Sequence, residues 1–221
     1  MSLGEAISEG SSVEKILLHL NGNSNDDSGN GYNGVDTNVV YSKNYGKFNE
    51  GAQFAQSNSK ITIADNSALR FTNNFTVSFW MYTTDTTVAD HSYIGKLRVV
   101  AGSYTGFIVH RYNPTKKIGF VIFKGGTQLD DLYTTGDTYA NAWYRIDCVK
   151  QDNSMKIYIN GMLNNSRTCG NMQYSTEPLY IGYGYTSAGA DLDEVRIRTR
   201  ALSAQEIQKE YTNSLGRFAI L

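Results

Sequence analysis

Strict alternation is the clearest pattern along the chain. Phe75, Val77, Phe79 and Met81 fall on one face of an extended segment. Thr76, Ser78, Trp80 and Tyr82 fall on the other. This predicts a core-facing strand over Phe75–Tyr82 whose outer face carries two aromatic rings. Shorter apolar or alternating runs predict strands at Ile16–Leu20, Gly51–Phe54, Ser59–Ile63, Tyr93–Lys96, Gly106–Tyr112 and Lys117–Phe123. Others follow at Trp143–Lys150, Met155–Asn160, Leu179–Gly182 and Asp193–Arg198. Turn pairs separate them: Asn113-Pro114, Gly125-Gly126, Asp152-Asn153 and Asn160-Gly161. The segment from Asn21 to Gly34 (NGNSNDDSGNGYNG) is made almost wholly of turn-forming residues and reads as a loop. A spacing of about ten residues from strand to strand predicts an all-β, two-sheet antiparallel jelly-roll sandwich.

One helix breaks the pattern. Ser203 and Glu206 form a capping box, and Ile207 and Tyr211 lie four apart, so a short C-terminal helix is predicted from Ala204 to Thr212. Residues 1–14 are polar and rich in Gly and Ser, and read as an arm before a single domain over 15–221.

Composition narrows the function classes. With 19 % charged residues and a net charge of −1, no basic surface for nucleic acid is visible. No apolar run is long enough to span a membrane. Met1–Gly10 carries Glu5 and Glu9 without an apolar stretch, so it does not read as a signal peptide. The expected location is extracellular or on a virion surface, reached by another route. Cys148 and Cys169 are either one disulfide or two ordinary thiols. His19, His91 and His110 lie on separate segments with no second ligand close by in sequence.

Four segments, in order, resemble the laminin G-like branch of the concanavalin A-like lectin/glucanase superfamily. They are Leu17-Leu18-His19-Leu20-Asn21-Gly22 with Asp27-Ser28-Gly29-Asn30-Gly31, and Gly46-Lys47-Phe48 with Ala52-Gln53-Phe54 and Phe75-Thr76-Val77-Ser78-Phe79-Trp80. The third is Trp143-Tyr144-Arg145 with Ile157-Tyr158-Ile159-Asn160-Gly161. The last is Leu192-Asp193-Glu194-Val195-Arg196-Ile197 with Arg200-Ala201-Leu202-Ser203 and Glu206-Ile207. The resemblance implies the same jelly roll over residues 15 to 212.

It also implies a structural Ca²⁺ held by Asn21, a carbonyl at Gly51, and Asp193. Asn21 stands where the family often has Asp. The alternative is that Asp193 caps a turn and holds no ion. The enzymes of this superfamily carry alternate carboxylates on one strand. Here Asp191 and Asp193 share a face, but Val195 and Ile197 follow on it where a third acid belongs, so catalysis is not expected.

Sugar sites are built from flat rings flanked by polar groups. The candidate ligand-binding rings are Trp80, Tyr82, His110, Tyr112, Tyr158, Tyr183 and Tyr185. Trp80, Tyr82 and Tyr158 project outward by alternation, His110 and Tyr112 share a strand face, and Tyr183 and Tyr185 sit in a Gly-rich loop. Outward rings also pack under loops or a helix. The expected function is non-catalytic carbohydrate binding in adhesion or targeting, with a glycan or cell-surface polysaccharide as partner. The alternative is a structural component of a virion, such as a phage tail or decoration protein, or of a cell-surface assembly, binding other proteins there.

Overall fold

The computed structural model describes residues 14–84, 90–100, 102–112, 115–136 and 139–216. The predicted arm and the Asn113-Pro114 turn lie outside the described residues, save for Glu14. In chain order the strands are β1 (Glu14–Leu18), β2 (Val35–Thr37), β3 (Val40–Ser42), β4 (Gly51–Gln53), β5 (Lys60–Ile63) and β6 (Asn74–Tyr82). Next come β7 (His91–Val100), β8 (Ser103–Tyr112), β9 (Lys117–Gly125), β10 (Gln128–Tyr133) and β11 (Tyr144–Gln151). The chain closes with β12 (Ser154–Ile159), β13 (Met162–Thr168), β14 (Leu179–Ile181), β15 (Asp191–Arg198) and the helix α1 (Ala204–Gly216).

Two antiparallel sheets result. One runs β13-β12-β11-β6-β15-β4-β3, with β1 also paired to β15; the other runs β10-β9-β8-β7-β14-β5-β2. The predicted sandwich is therefore the observed one. Between the sheets lies one continuous core. Phe75 is stacked on Phe71 at 5.4 Å and meets Phe107 at 5.0 Å and Phe120 edge-on at 5.9 Å. Cys148 and Cys169 are buried, unbonded thiols.

Strand β15 departs from the predicted alternation. Its register slips between Asp193 and Arg196, and Glu194 takes a φ of 50°. The bulge inserts one residue and resets the phase. Leu192, Val195 and Ile197 all join the core, so Val195 and Ile197 do not share the face of Asp193. The outer face after Asp193 instead holds Arg196 and Arg198, which pair with Glu194, Glu14 and Glu210.

The helix covers that outer face. Ser203 Oγ accepts from the Glu206 N–H at 3.2 Å and the Glu206 carboxylate accepts from the Ser203 N–H at 2.8 Å, closing the capping box. Arg200 and the cap pull the Glu206 carboxyl down to about 2. Ile207 packs against Val149, Tyr158 and Leu202, and Tyr211 stacks on Trp80 at 5.8 Å. The helix is one turn longer than its predicted end at Thr212.

Candidate functional site

Three neighbouring strands of the seven-stranded sheet bring a set of rings together. Alternation sends Phe107, Val109, Phe120, Ile122 and Leu132 into the core. Their neighbours Ile108, His110 and Tyr112 on β8, Val121 and Phe123 on β9, and Leu129, Asp131 and Tyr133 on β10 line the opposite face. Register aligns them in rows. His110, Gly119 and Tyr133 form one row, and Ile108, Val121 and Asp131 the next. Tyr185, from the loop between β14 and β15, closes the side of a groove of about 380 Å³.

Missing side chains make this groove. A Cβ placed on Gly119 would lie 2.7 Å from Tyr133 Cε1 and 2.8 Å from His110 Nε2, so the two rings occupy the space a side chain would fill. Gly184 does the same for the wall, since a Cβ there would come within 2.6 Å of Ile108 Cδ1. Ser92 Oγ accepts from the Tyr185 N–H at 3.0 Å and holds that loop on the sheet.

The rings stand at angles to one another. Tyr112 and Tyr133 have centroids 5.5 Å apart, His110 and Tyr112 6.0 Å, and His110 and Tyr133 6.2 Å. Tyr112 is 39 % exposed and Tyr185 47 %, whereas His110 is 7 % exposed. His110 Nε2 is buried with no hydrogen-bond partner. An unmet buried polar atom is costly. Burial pushes the His110 imidazole down to about 4, against the pull of Asp90 and Asp131. The ring is therefore neutral at pH 7, with one nitrogen an acceptor and the other a donor. Burial and Asp131 push the Tyr133 phenol up to about 12.

The depressed His110 value has a consequence for stability. The unfolded chain takes up this proton near pH 6.5, while the folded one refuses it until about 4. Stability from this group is thus complete above pH 6.5 and lost as the pH falls towards 4. His110→Gln is expected to flatten the fall of denaturation midpoint between pH 7 and 4, by about 3 kcal/mol at most. Parallel curves for the two proteins would refute the assignment.

The other predicted rings lie elsewhere. Trp80 is 3 % exposed, caught between Phe48, Tyr211 and the Lys47 ammonium. Tyr158 is also 3 % exposed, beneath Leu202 and Ile207. Both point outward from their sheet as alternation requires, but the helix covers that face. Tyr82 packs on Trp143 at 5.7 Å, and Tyr183 lies beside Tyr180 with the Lys60 ammonium 5.1 Å from its ring. Of the seven predicted rings, the groove gathers His110, Tyr112 and Tyr185. It adds Tyr133, Asp131 and Leu129, from β10, where no strand is predicted. The overlooked signal is the alternation of Leu129, Asp131 and Tyr133 after the predicted Gly125-Gly126 turn.

The residues expected to hold Ca²⁺ have their oxygens turned to another use. Asp193 Oδ2 accepts from the Lys47 and Phe48 N–H groups at 2.7 and 3.1 Å, and Asn21 Oδ1 accepts from the Glu50 N–H at 3.1 Å. Gly51 sits in β4. Burial pushes the Asp193 carboxyl up to about 7. No group of three or more His, Cys, Asp or Glu suited to a metal occurs among the described residues. Asn21 and Asp193 thus both bind the backbone of the 47–50 segment.

Asp130 and Asp131 diverge: Asp130 accepts from the Gly170 N–H at 2.8 Å, and Asp131 pairs with Arg167.

Residues 55–208 match the model of a family described as the concanavalin A-like lectin/glucanases superfamily. Among solved structures, the binding domain of Paraclostridial Mosquitocidal Protein 1 superposes with a TM-score of 0.76 at 17 % identity, over 92 % of this chain and 53 % of that one. A Botulinum neurotoxin serotype D ligand binding domain in complex with N-acetylneuraminic acid gives 0.72 at 18 %, over 93 % and 52 %. Domain 4 of a GH43 extracellular arabinanase from Geobacillus stearothermophilus, in complex with arabinotriose, gives 0.70 at 19 %, over 89 % and 97 %. The chain thus spans about half the length of the two toxin domains and nearly all of the arabinanase domain. No curated protein sequence matches it.

Proposed function

We propose that this chain, which belongs to the concanavalin A-like lectin/glucanases superfamily, is a non-catalytic glycan-binding module for adhesion or targeting, and that its site is the aromatic groove of the seven-stranded sheet. The observation that carries the reading is the unpartnered His110 Nε2 in the floor of a ring-lined groove. A sugar offers what that groove lacks. Its C–H face lies on Tyr112 and Tyr133, and a ring hydroxyl bonds to His110 Nε2. Tyr185 bounds the sugar from the side, and the phenol hydroxyls supply further donors and acceptors. The solved sugar complexes of the same fold support this reading without locating the site.

The test is a glycan array followed by titration of any hit, with Tyr112→Ala beside the parent. Tyr112 is half out of the protein, so its removal is expected to leave the melting temperature unchanged. Loss of one stacking ring is expected to weaken binding about 10-fold. Equal affinity in the variant would place the sugar elsewhere. An array with no hit, with calcium or with chelator, would overturn the proposal and favour a structural component of a virion or surface assembly.

A further inference from the structure

We infer that the groove selects a sugar bearing a methyl group, as an acetamido or a 6-deoxy sugar does, with the methyl directed away from His110 towards the Leu129 end. The inference rests on the groove being the glycan site. It comes from the uneven placing of polar groups along that groove. Register sorts the floor and one wall into rows. The row of His110, Gly119 and Tyr133 carries the unpartnered Nε2 and a phenol. Two residues further along β9, about 7 Å at the rise of an antiparallel strand, comes the row of Ile108, Val121 and Asp131. Two residues beyond that, about 14 Å from the first row, Phe123 and Leu129 lie side by side.

Asp131 is already satisfied, because Arg167 Nη1 meets its Oδ1 at 2.5 Å. Charge therefore does not choose the ligand. Past Asp131 the groove is apolar. Ile108, Val121 and Phe123 pack with Leu97 as a small cluster of their own on this outer face. Leu129 stands to one side of that floor, on the edge strand β10, and Tyr185 to the other, where Ser92 holds its loop. Leu129 is 44 % exposed while lining the groove, so its apolar surface is open to a ligand. The Tyr185 hydroxyl is the one polar side-chain group at this end among the described lining residues.

A plain hexose held at His110 turns its far edge towards this floor. The hydroxyls there give up water and find almost nothing to bond, which costs affinity. A methyl at the same place loses no hydrogen bond and buries apolar surface against Leu129 and the floor. One such carbon in an apolar pocket is worth about 10-fold or more.

The experiment is calorimetric titration of the full chain with four neutral β-1,4-linked trisaccharides, arranged as two matched pairs. Glucose is compared with 6-deoxyglucose, and N-formylglucosamine with N-acetylglucosamine, so that the second pair keeps the amide and changes only the methyl. In at least one pair the methyl-bearing sugar is expected to bind about 10-fold tighter, and the pair that shows the gain tells a deoxy sugar from an acetamido one. Leu129→Asn is expected to shrink that ratio severalfold while the methyl-free partner binds as before. Equal affinities within both pairs would overturn the methyl preference and leave the groove as the glycan site. A ratio unchanged in folded Leu129→Asn would overturn the placing of the methyl. No binding by any of the four would overturn both readings. If Leu129→Asn does not fold, the paired comparison on the parent chain still decides.

Discussion

Arg145→Ala is expected to destabilise the fold by about 3 to 5 kcal/mol, the largest single effect on stability predicted for this chain. Arg145 and Asp147 lie on the outer face of the eight-stranded sheet, 5 % and 0 % exposed, and they meet at 2.9 Å. The same guanidinium reaches Glu210 of the helix at 2.8 Å. Removing it leaves the Asp147 carboxylate buried without a counter-charge, and that costs far more than the pair contributes. Glu210 suffers less, because Arg198 also holds it at 3.1 Å. The comparison that isolates the cause is Arg145→Leu with Asp147→Leu, which removes both charges and is expected to recover most of the loss. Urea denaturation reads this directly. A double variant as unstable as the single one would show that packing, not an orphaned charge, sets the cost.

Gly119→Val is the substitution expected to harm binding most. Valine suits a strand, and β9 is an interior strand of its sheet, so the backbone itself accepts it. The added carbons, however, enter the space of Tyr133 and His110 at once. Each displaced ring is worth about 1 to 3 kcal/mol to a stacked ligand. An affinity loss of about 100-fold or more is expected, together with a loss of stability of about 1 to 3 kcal/mol from overpacking against the buried His110 ring. Unchanged glycan affinity in a folded Gly119→Val protein would rule out this groove as the site.

Much of the fold is legible in the residues because alternation is a direct image of a sheet with one buried face. Phe75 to Tyr82 shows this plainly, and so does Ile61 with Ile63. Strands fail to show where their side chains are polar on both faces. β13 (MLNNSRT) is an edge strand, largely exposed, and its pattern carries no apolar period. β10 carries the charged pair Asp130-Asp131, which shares Arg167 between its two carboxylates and breaks any apolar run. Alternation also says which face a ring occupies but not what lies over it. Trp80 and Tyr112 look alike in sequence, each projecting from the outer side of a strand. A helix that begins at Ala204 covers the first and leaves the second open. No pattern local to β6 contains that information. The bulge at Glu194 is equally silent, because one inserted residue with a positive φ leaves the composition unchanged.

The helix that covers one sheet has a further effect, on valency. It leaves open, on the opposite sheet, the groove where the proposed function puts the recognition surface. On that reading one groove would hold one ligand, and shallow contacts with a few rings would give weak, short-lived attachment. Strength must then come from number. Copies displayed side by side on a shared carrier turn every binding event after the first into an intramolecular one, and the gain depends on spacing rather than on any new contact. The same one-sidedness leaves the helix face free to rest against whatever carries it while the groove looks outward.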